Sequence, residues 1–104
     1  MKVVEYETRV RTAGRRAVLD LTDEVEAAVR ESGIERGVAC LYSPHTTCRL
    51  RVAAGPDGLG DRLAPAGGLL PVRDGELVDG ARRILLVELD RDRERTWLLQ
   101  IVGD

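Results

Sequence analysis

The chain has 104 residues, 16 basic and 18 acidic side chains and a formal net charge of −2. That is the length of about one small domain, and the balance gives no case for a nucleic-acid or membrane-surface binder driven by charge. Two Tyr, one Trp and no Phe leave an aliphatic core and no base-stacking platform.

The longest wholly apolar run is Val38 to Tyr42. A membrane helix needs about 20 apolar residues and a signal peptide about 7–15, so a cytoplasmic protein is expected. Cys40 and Cys48 are then read as reduced thiols. The single lysine, Lys2, offers neither a P-loop nor a mid-chain Schiff base. The 29 Val, Ile and Leu residues are enough for one core over residues 1–104. A domain this small is only modestly stable alone, and association would help it.

Val4, Tyr6, Thr8 and Val10 alternate with Glu5, Glu7, Arg9 and Arg11, which predicts a half-buried strand with a charged outer face. Thr12-Ala13-Gly14 reads as a turn, and Arg16 to Leu21 as the strand returning in a hairpin. Thr22 then fits a helix N-cap, with Asp23 and Glu24 suited to the positive end of the helix. Val25, Ala28 and Val29 form the apolar stripe, and Gly33 fits the left-handed position past the helix end.

Gly37 to Tyr42 reads as a buried strand that Ser43-Pro44 interrupts. Thr47 to Val52 resumes with Cys48, Leu50 and Val52 inward and Arg49 and Arg51 outward. Gly55-Pro56-Asp57-Gly58 is a turn, Leu59 to Ala64 a single helical turn, and Pro65 to Gly68 a loop. Leu69 to Arg73 and Glu76 to Val78 form a hairpin around Asp74-Gly75, a pair suited to a type I′ turn. After Asp79-Gly80, Arg83 to Leu89 is a strand apolar on both faces, and a charged connection leads to a last strand, Arg95 to Val102. Many strands, mostly antiparallel neighbours and one main helix define an α+β fold.

The only histidine, His45, sits in Ser43-Pro44-His45-Thr46-Thr47. Pro44 ends a strand, so His45 and two hydroxyls project from a fixed bend, where freed backbone N–H groups suit an anion. Ser43 lies too close in sequence to His45 for good triad geometry. Cys40, His45 and Cys48 do not follow a standard zinc spacing. The cysteines read better as small buried hydrophobes, and no metal site is assigned. Arg82, Arg83, Arg91, Arg93 and Arg95 form either a solvated charged turn or a phosphate-recognition set, since the guanidinium fork matches phosphate oxygens. Asp57, Asp61, Glu88 and Asp90 are the acids nearby, and no spacing among them compels Mg²⁺.

Three blocks together carry a resemblance. The first is Asp20-Leu21-Thr22-Asp23-Glu24-Val25, Ser32-Gly33-Ile34, Gly37 and Pro44-His45-Thr46-Thr47. The second is Leu70-Pro71-Val72-Arg73-Asp74-Gly75-Glu76-Leu77 with Gly80. The third is Glu88-Leu89-Asp90 with Arg93, Arg95, Gln100 and Gly103. In this order they resemble the YjbQ-like family, often labelled secondary thiamine-phosphate synthase. Members usually carry a longer segment, with two further histidines and a helix, where Asp57 to Gly67 stands here. Gly80-Ala81-Arg82-Arg83 replaces their Gly-Thr-Trp-Gln, and Arg91-Asp92 replaces a Gly-Pro.

The resemblance implies an α+β homotrimer that joins a pyrimidine diphosphate to a thiazole phosphate, with Mg²⁺ a possible helper if the chain is catalytic. His45, Thr46 and Thr47 would be the catalytic wall. Glu88, Asp90, Arg93 and Arg95 match family positions as ligand contacts. Arg82 and Arg83 are added as phosphate contacts from the residues alone. With most site histidines missing, the expectation is a residual small-phosphate pocket near His45 and weak or absent synthase activity. The alternative is a non-catalytic interaction protein that keeps the trimeric scaffold.

Overall fold

The computed structural model describes residues 1–14, 17–45, 47–54, 67–78 and 82–104. Thr46, the side chain of Arg82, and the features expected over 55–66 and at Asp79-Gly80 lie outside the described residues. The elements run β1 (Lys2–Arg11), β2 (Val18–Asp20), α1 (Thr22–Ser32), β3 (Arg36–Tyr42), β4 (Cys48–Ala54), β5 (Gly67–Arg73), β6 (Glu76–Leu77), β7 (Arg82–Glu88) and β8 (Glu94–Gly103). They form a five-stranded sheet, β1-β8-β3-β5-β6, and a three-stranded sheet, β2-β7-β4. All pairings between these strands are antiparallel. With one helix among the described residues, this is the α+β architecture that the sequence predicts.

The inner faces of both sheets and the stripe of α1 share one core. Trp97, Leu99 and Ile101 of β8, Ala39 and Leu41 of β3, Leu50 of β4, Ile84 and Leu86 of β7, and Val25 and Val29 of α1 meet there. The helix ends at Gly33 with φ 72°, a left-handed conformation that glycine adopts without strain. Asp74 and Gly75 both have positive φ between β5 and β6, as a type I′ turn requires. Gly37 is needed for another reason. A Cβ there would stand 2.0 Å from the carbonyl oxygen of Val102, where β3 crosses β8.

Two expectations are corrected. β1 and β2 do not form a hairpin. β1 pairs over its whole length with β8, from Lys2 opposite Gly103 to Arg11 opposite Glu94, while β2 pairs with β7 in the other sheet. A ten-residue partner satisfies far more of the ladder of β1 than a three-residue one can. Thr22 is not the N-cap but the first helical residue. The Asp20 carboxylate accepts its N–H at 3.0 Å, and the Thr22 hydroxyl accepts the Ile84 N–H at 2.8 Å. Leu21 occupies the N-cap without a side-chain bond, the Asp20 carboxylate before it satisfies the first helical N–H, and Thr22 ties the helix start to β7.

Candidate functional site

The chain passes repeatedly between the two sheets, and several of those crossings meet at one corner. β1 ends there just before Thr12, β3 leaves there through Ser43-Pro44-His45, and β7 turns there into β8. Tyr42 stands opposite Leu98, so in a longer β3 the residue two places on, Pro44, would stand opposite Thr96. Pro44 cannot donate to that ladder, and the chain turns to the other sheet instead. His45 fills the gap, its Nε2 accepting the Thr96 backbone N–H at 3.1 Å. An accepting Nε2 assigns the imidazole proton to Nδ1. Ser43 is buried with its hydroxyl directed at the Cys48 carbonyl at 3.4 Å, which closes the bend from inside.

Beneath the bend lies a buried ion pair. Glu88 and Arg95 have side-chain exposures of 0% and 2%. The Arg95 Nε donates to Glu88 Oε1 at 2.8 Å and Nη2 donates to Oε2, a bidentate fork. The same Nη2 reaches Thr47 Oγ1 at 2.7 Å. Glu88 also accepts the buried Thr12 hydroxyl, and the Asp90 N–H at 3.1 Å. Thr12 and Arg93 exchange further bonds, from Thr12 N–H to the Arg93 carbonyl at 3.0 Å and from Arg93 N–H to Thr12 Oγ1 at 3.2 Å.

These contacts set the electrostatics. Hydrogen bonds from Arg95 outweigh the burial that opposes ionisation, and with those from Thr12 and Asp90 they hold the Glu88 carboxyl at about 2. The bonds to Glu88 raise Arg95 in turn. Burial pushes the Cys48 thiol up, against the opposing pull of Arg95, which makes it a poor nucleophile.

The corner thus brings together His45, Thr47, Glu88, Asp90, Arg93 and Arg95. Asp90 and Arg93 pair with each other at 3.4 Å and are both part-exposed. Arg83 is not brought there. It lies five residues back along β7, about 17 Å at strand rise, and its Nε meets Asp20 Oδ2 at 3.1 Å. The backbone of Arg82 lies at that same far end. Thr12 is the residue the sequence reading missed. The inward alternation of Val4, Tyr6, Thr8 and Val10 continues to it, and that parity is the signal that identifies it as buried.

Among the described residues no group of three or more His, Cys, Asp or Glu side chains is placed to hold a metal, so Cys40, His45 and Cys48 are not gathered. The corner does not fit Mg²⁺ either. Both Glu88 oxygens already accept from Arg95, and the Asp90 carboxylate faces Arg93. Among the described residues no helix is long and apolar enough to cross a membrane.

Fold and corner define a class: two antiparallel sheets and one helix around a Pro-His-Thr-Thr bend. A family model described as UPF0047 protein YjbQ-like matches residues 6–64, a span that contains the second half of β1, α1 and the bend. The chain belongs to the YjbQ-like family. It is 40% identical over 57 residues to the UPF0047 protein YugU of Bacillus subtilis, a match covering 53% of this chain and 43% of that protein. In that match the chain spans less than half of the relative. It is 29% identical over 126 residues to a UPF0047 protein of Archaeoglobus fulgidus, covering 90% of this chain and 98% of that one. Because 126 positions exceed the 104 residues here, part of that relative has no counterpart in this chain.

Among solved structures, a YbjQ-like protein of unknown function from Sulfolobus solfataricus P2 aligns with a TM-score of 0.87 at 29% identity, over 99% of both chains. A hypothetical protein from Aeropyrum pernix K1 aligns with a TM-score of 0.81 at 27% identity, over 100% of both.

Proposed function

We propose that this chain is a shortened YjbQ-like protein that holds a small phosphate-type anion at the His45 bend, with thiamine-phosphate synthase activity at or near background. It acts as one domain over residues 1–104, in a cytoplasmic homotrimer. The observation that carries this reading is the engagement of the corner's strongest groups within the fold. His45 Nε2 is held by the Thr96 N–H, and the Arg95 fork is spent on Glu88. A base must have a free lone pair, and a clamp for a leaving diphosphate must have free cationic donors. What the corner has left is the donor at His45 Nδ1 and the remaining donors of the part-exposed Arg93, which meets Asp90 through Nη1. Those groups suit an anion. Thr47, whose hydroxyl accepts from Arg95, fixes the bend beneath them.

Joining two phosphorylated heterocycles needs several preorganised groups around a dry pocket, and loss of one such donor costs about 10²–10³ in rate in studied enzymes. The segment that carries two more histidines in the family type is replaced here by a short one. Two measurements test the reading. A discontinuous assay with both substrates and Mg²⁺ should give no turnover above background, in wild type as in His45→Ala. Inorganic phosphate should raise the melting temperature of wild type, and less that of Arg93→Ala. Clear turnover abolished by His45→Ala overturns the demotion of catalysis. No response to phosphate or diphosphate decides for the second reading, a non-catalytic interaction protein, which the apolar outer face of the five-stranded sheet favours.

A further inference from the structure

β1 is a ten-residue strand with one edge unpaired among the described residues. The ladder fixes which groups that edge offers. The Thr12 N–H donates to the Arg93 carbonyl, and β1 runs along β8 in the same register. Bonded and unbonded positions alternate in an antiparallel pair, so Val10, Thr8, Tyr6 and Val4 spend their backbone groups on β8. Those of Glu5, Glu7, Arg9 and Arg11 turn to the open edge. The side chains of these four are exposed on the outer face, while Tyr6, Thr8 and Val10 turn inward and are part-buried.

The charges along this edge are symmetrical about Thr8. Glu7 and Glu5 on one side of it mirror Arg9 and Arg11 on the other. Laid antiparallel against a second copy, across a two-fold axis at Thr8, every one of these charges meets its opposite. Glu5 faces Arg11, Glu7 faces Arg9, and Tyr6 faces Val10 on the inner side. The same register matches the free backbone groups, because each charged residue meets another whose N–H and C=O also point to the edge. An axis at Glu7 or at Arg9 would set that side chain against itself, and like charges opposed on neighbouring strands repel. Charges on an edge ordinarily keep other strands away; here they leave one copy-to-copy register open. Within the chain the same side chains have only solvent-screened partners. Arg9 meets Glu94 at 3.8 Å, Arg11 meets Asp92 at 3.6 Å, and Glu5 accepts from Gln100 at 2.7 Å, contacts worth little at an exposed surface.

We infer that two copies of this chain pair β1 to β1, antiparallel about Thr8, and join their five-stranded sheets edge to edge. This edge is separate from the apolar centre of the sheet's outer face, where Val38, Tyr42 and Leu69 lie exposed. The pairing needs no ligand at the His45 bend. It doubles whatever unit the chain otherwise forms, monomer or trimer, so a ratio of masses tests it apart from the trimer and phosphate readings.

The test is the sedimenting mass of the full chain at micromolar concentration, with far-UV circular dichroism to confirm folding. Glu7→Pro removes one N–H from the open edge and none from the β8 ladder, a position where a strand tolerates proline. Wild type should sediment at twice the mass of that variant. Glu5→Arg with Glu7→Arg makes the edge wholly basic, and Arg9→Glu with Arg11→Glu makes it wholly acidic. Each of these chains alone should show half the wild-type mass, and an equal mixture of the two should regain it. Equal masses for wild type and Glu7→Pro overturn the pairing, as does a wild-type mass kept by the wholly basic or wholly acidic chain. A mixture that stays at half the mass overturns the charge register.

Discussion

Two threonine–carboxylate–arginine triples lie at opposite ends of β7. At one end Thr12, Glu88 and Arg95 are all buried, with the guanidinium forked on the carboxylate. At the other, Thr22 is buried, but Asp20 and Arg83 are each 41% exposed and share a contact from Arg83 Nε at 3.1 Å. The chemistry is the same and the work differs. The buried triple locks several chain crossings between the sheets, because each of its polar atoms must find a partner where water cannot supply one. The exposed triple fastens the first residue of a helix, and its arginine is an accessory that water can replace. Burial decides how much a polar contact matters, and each variant below separates the two triples on that ground.

The largest effect is expected at Glu88. Removing one partner of a buried pair strands the other charge and costs about 3–5 kcal/mol. Glu88→Ala should lose that much in urea denaturation, and Thr12 and Asp90 lose their acceptor as well. Replacing both charges, as in Glu88→Leu with Arg95→Met, should recover part of the loss, since no unpaired charge remains. If Glu88→Ala costs no more than Asp20→Ala, burial is not what distinguishes the triples.

Acid should sharpen the contrast next. Glu88 sits at about 2 in the folded chain against 4.5 unfolded. A carboxyl lowered by folding stabilises fully above its unfolded value and less as pH falls through the folded one. Wild type should therefore lose stability progressively as pH drops from 4.5 towards about 2. Glu88→Gln has no such group to protonate, so its stability should depend less on pH over that window. Asp20 is also lowered, chiefly by the Thr22 hydroxyl, but its exposure weakens the linkage. Asp20→Asn should leave the acid transition nearly where it is. An acid transition unmoved by Glu88→Gln would show that the buried pair does not set it.

The sequence made most of this frame legible and hid how its parts connect. Period-two alternation locates β1, β4 and β8, Asp74-Gly75 marks the β5–β6 turn, and Val25, Ala28 and Val29 give the buried helix face. Pairing is another matter. Nothing local in Glu5 or Gln100 says that β1 joins β8 across the whole chain, and adjacency suggests a hairpin with β2 instead. The corner was half visible. Pro44 signals a break beside His45, and Glu88 and Arg95 stand near each other in sequence. That His45 accepts from the Thr96 backbone follows only from where β3 leaves the sheet, a tertiary fact that no spacing encodes.

The smallest effects belong to the exposed triple, and they rank its members. Asp20 accepts both the N–H and the hydroxyl of Thr22, so Asp20→Ala should cost about 1 kcal/mol, as loss of a helix cap does. Arg83→Ala removes only a solvent-screened partner and should cost less than about 1 kcal/mol, falling further in high salt. Asp20→Asn decides between the two contributions, because it keeps an acceptor oxygen for Thr22 while deleting the charge that faces Arg83. If the hydrogen bond dominates, as it does in lowering the Asp20 carboxyl, Asp20→Asn should retain most of the stability that Asp20→Ala loses. An Asn variant as unstable as the Ala variant would move the weight to the Arg83 contact, and the contrast between buried and exposed triples would narrow.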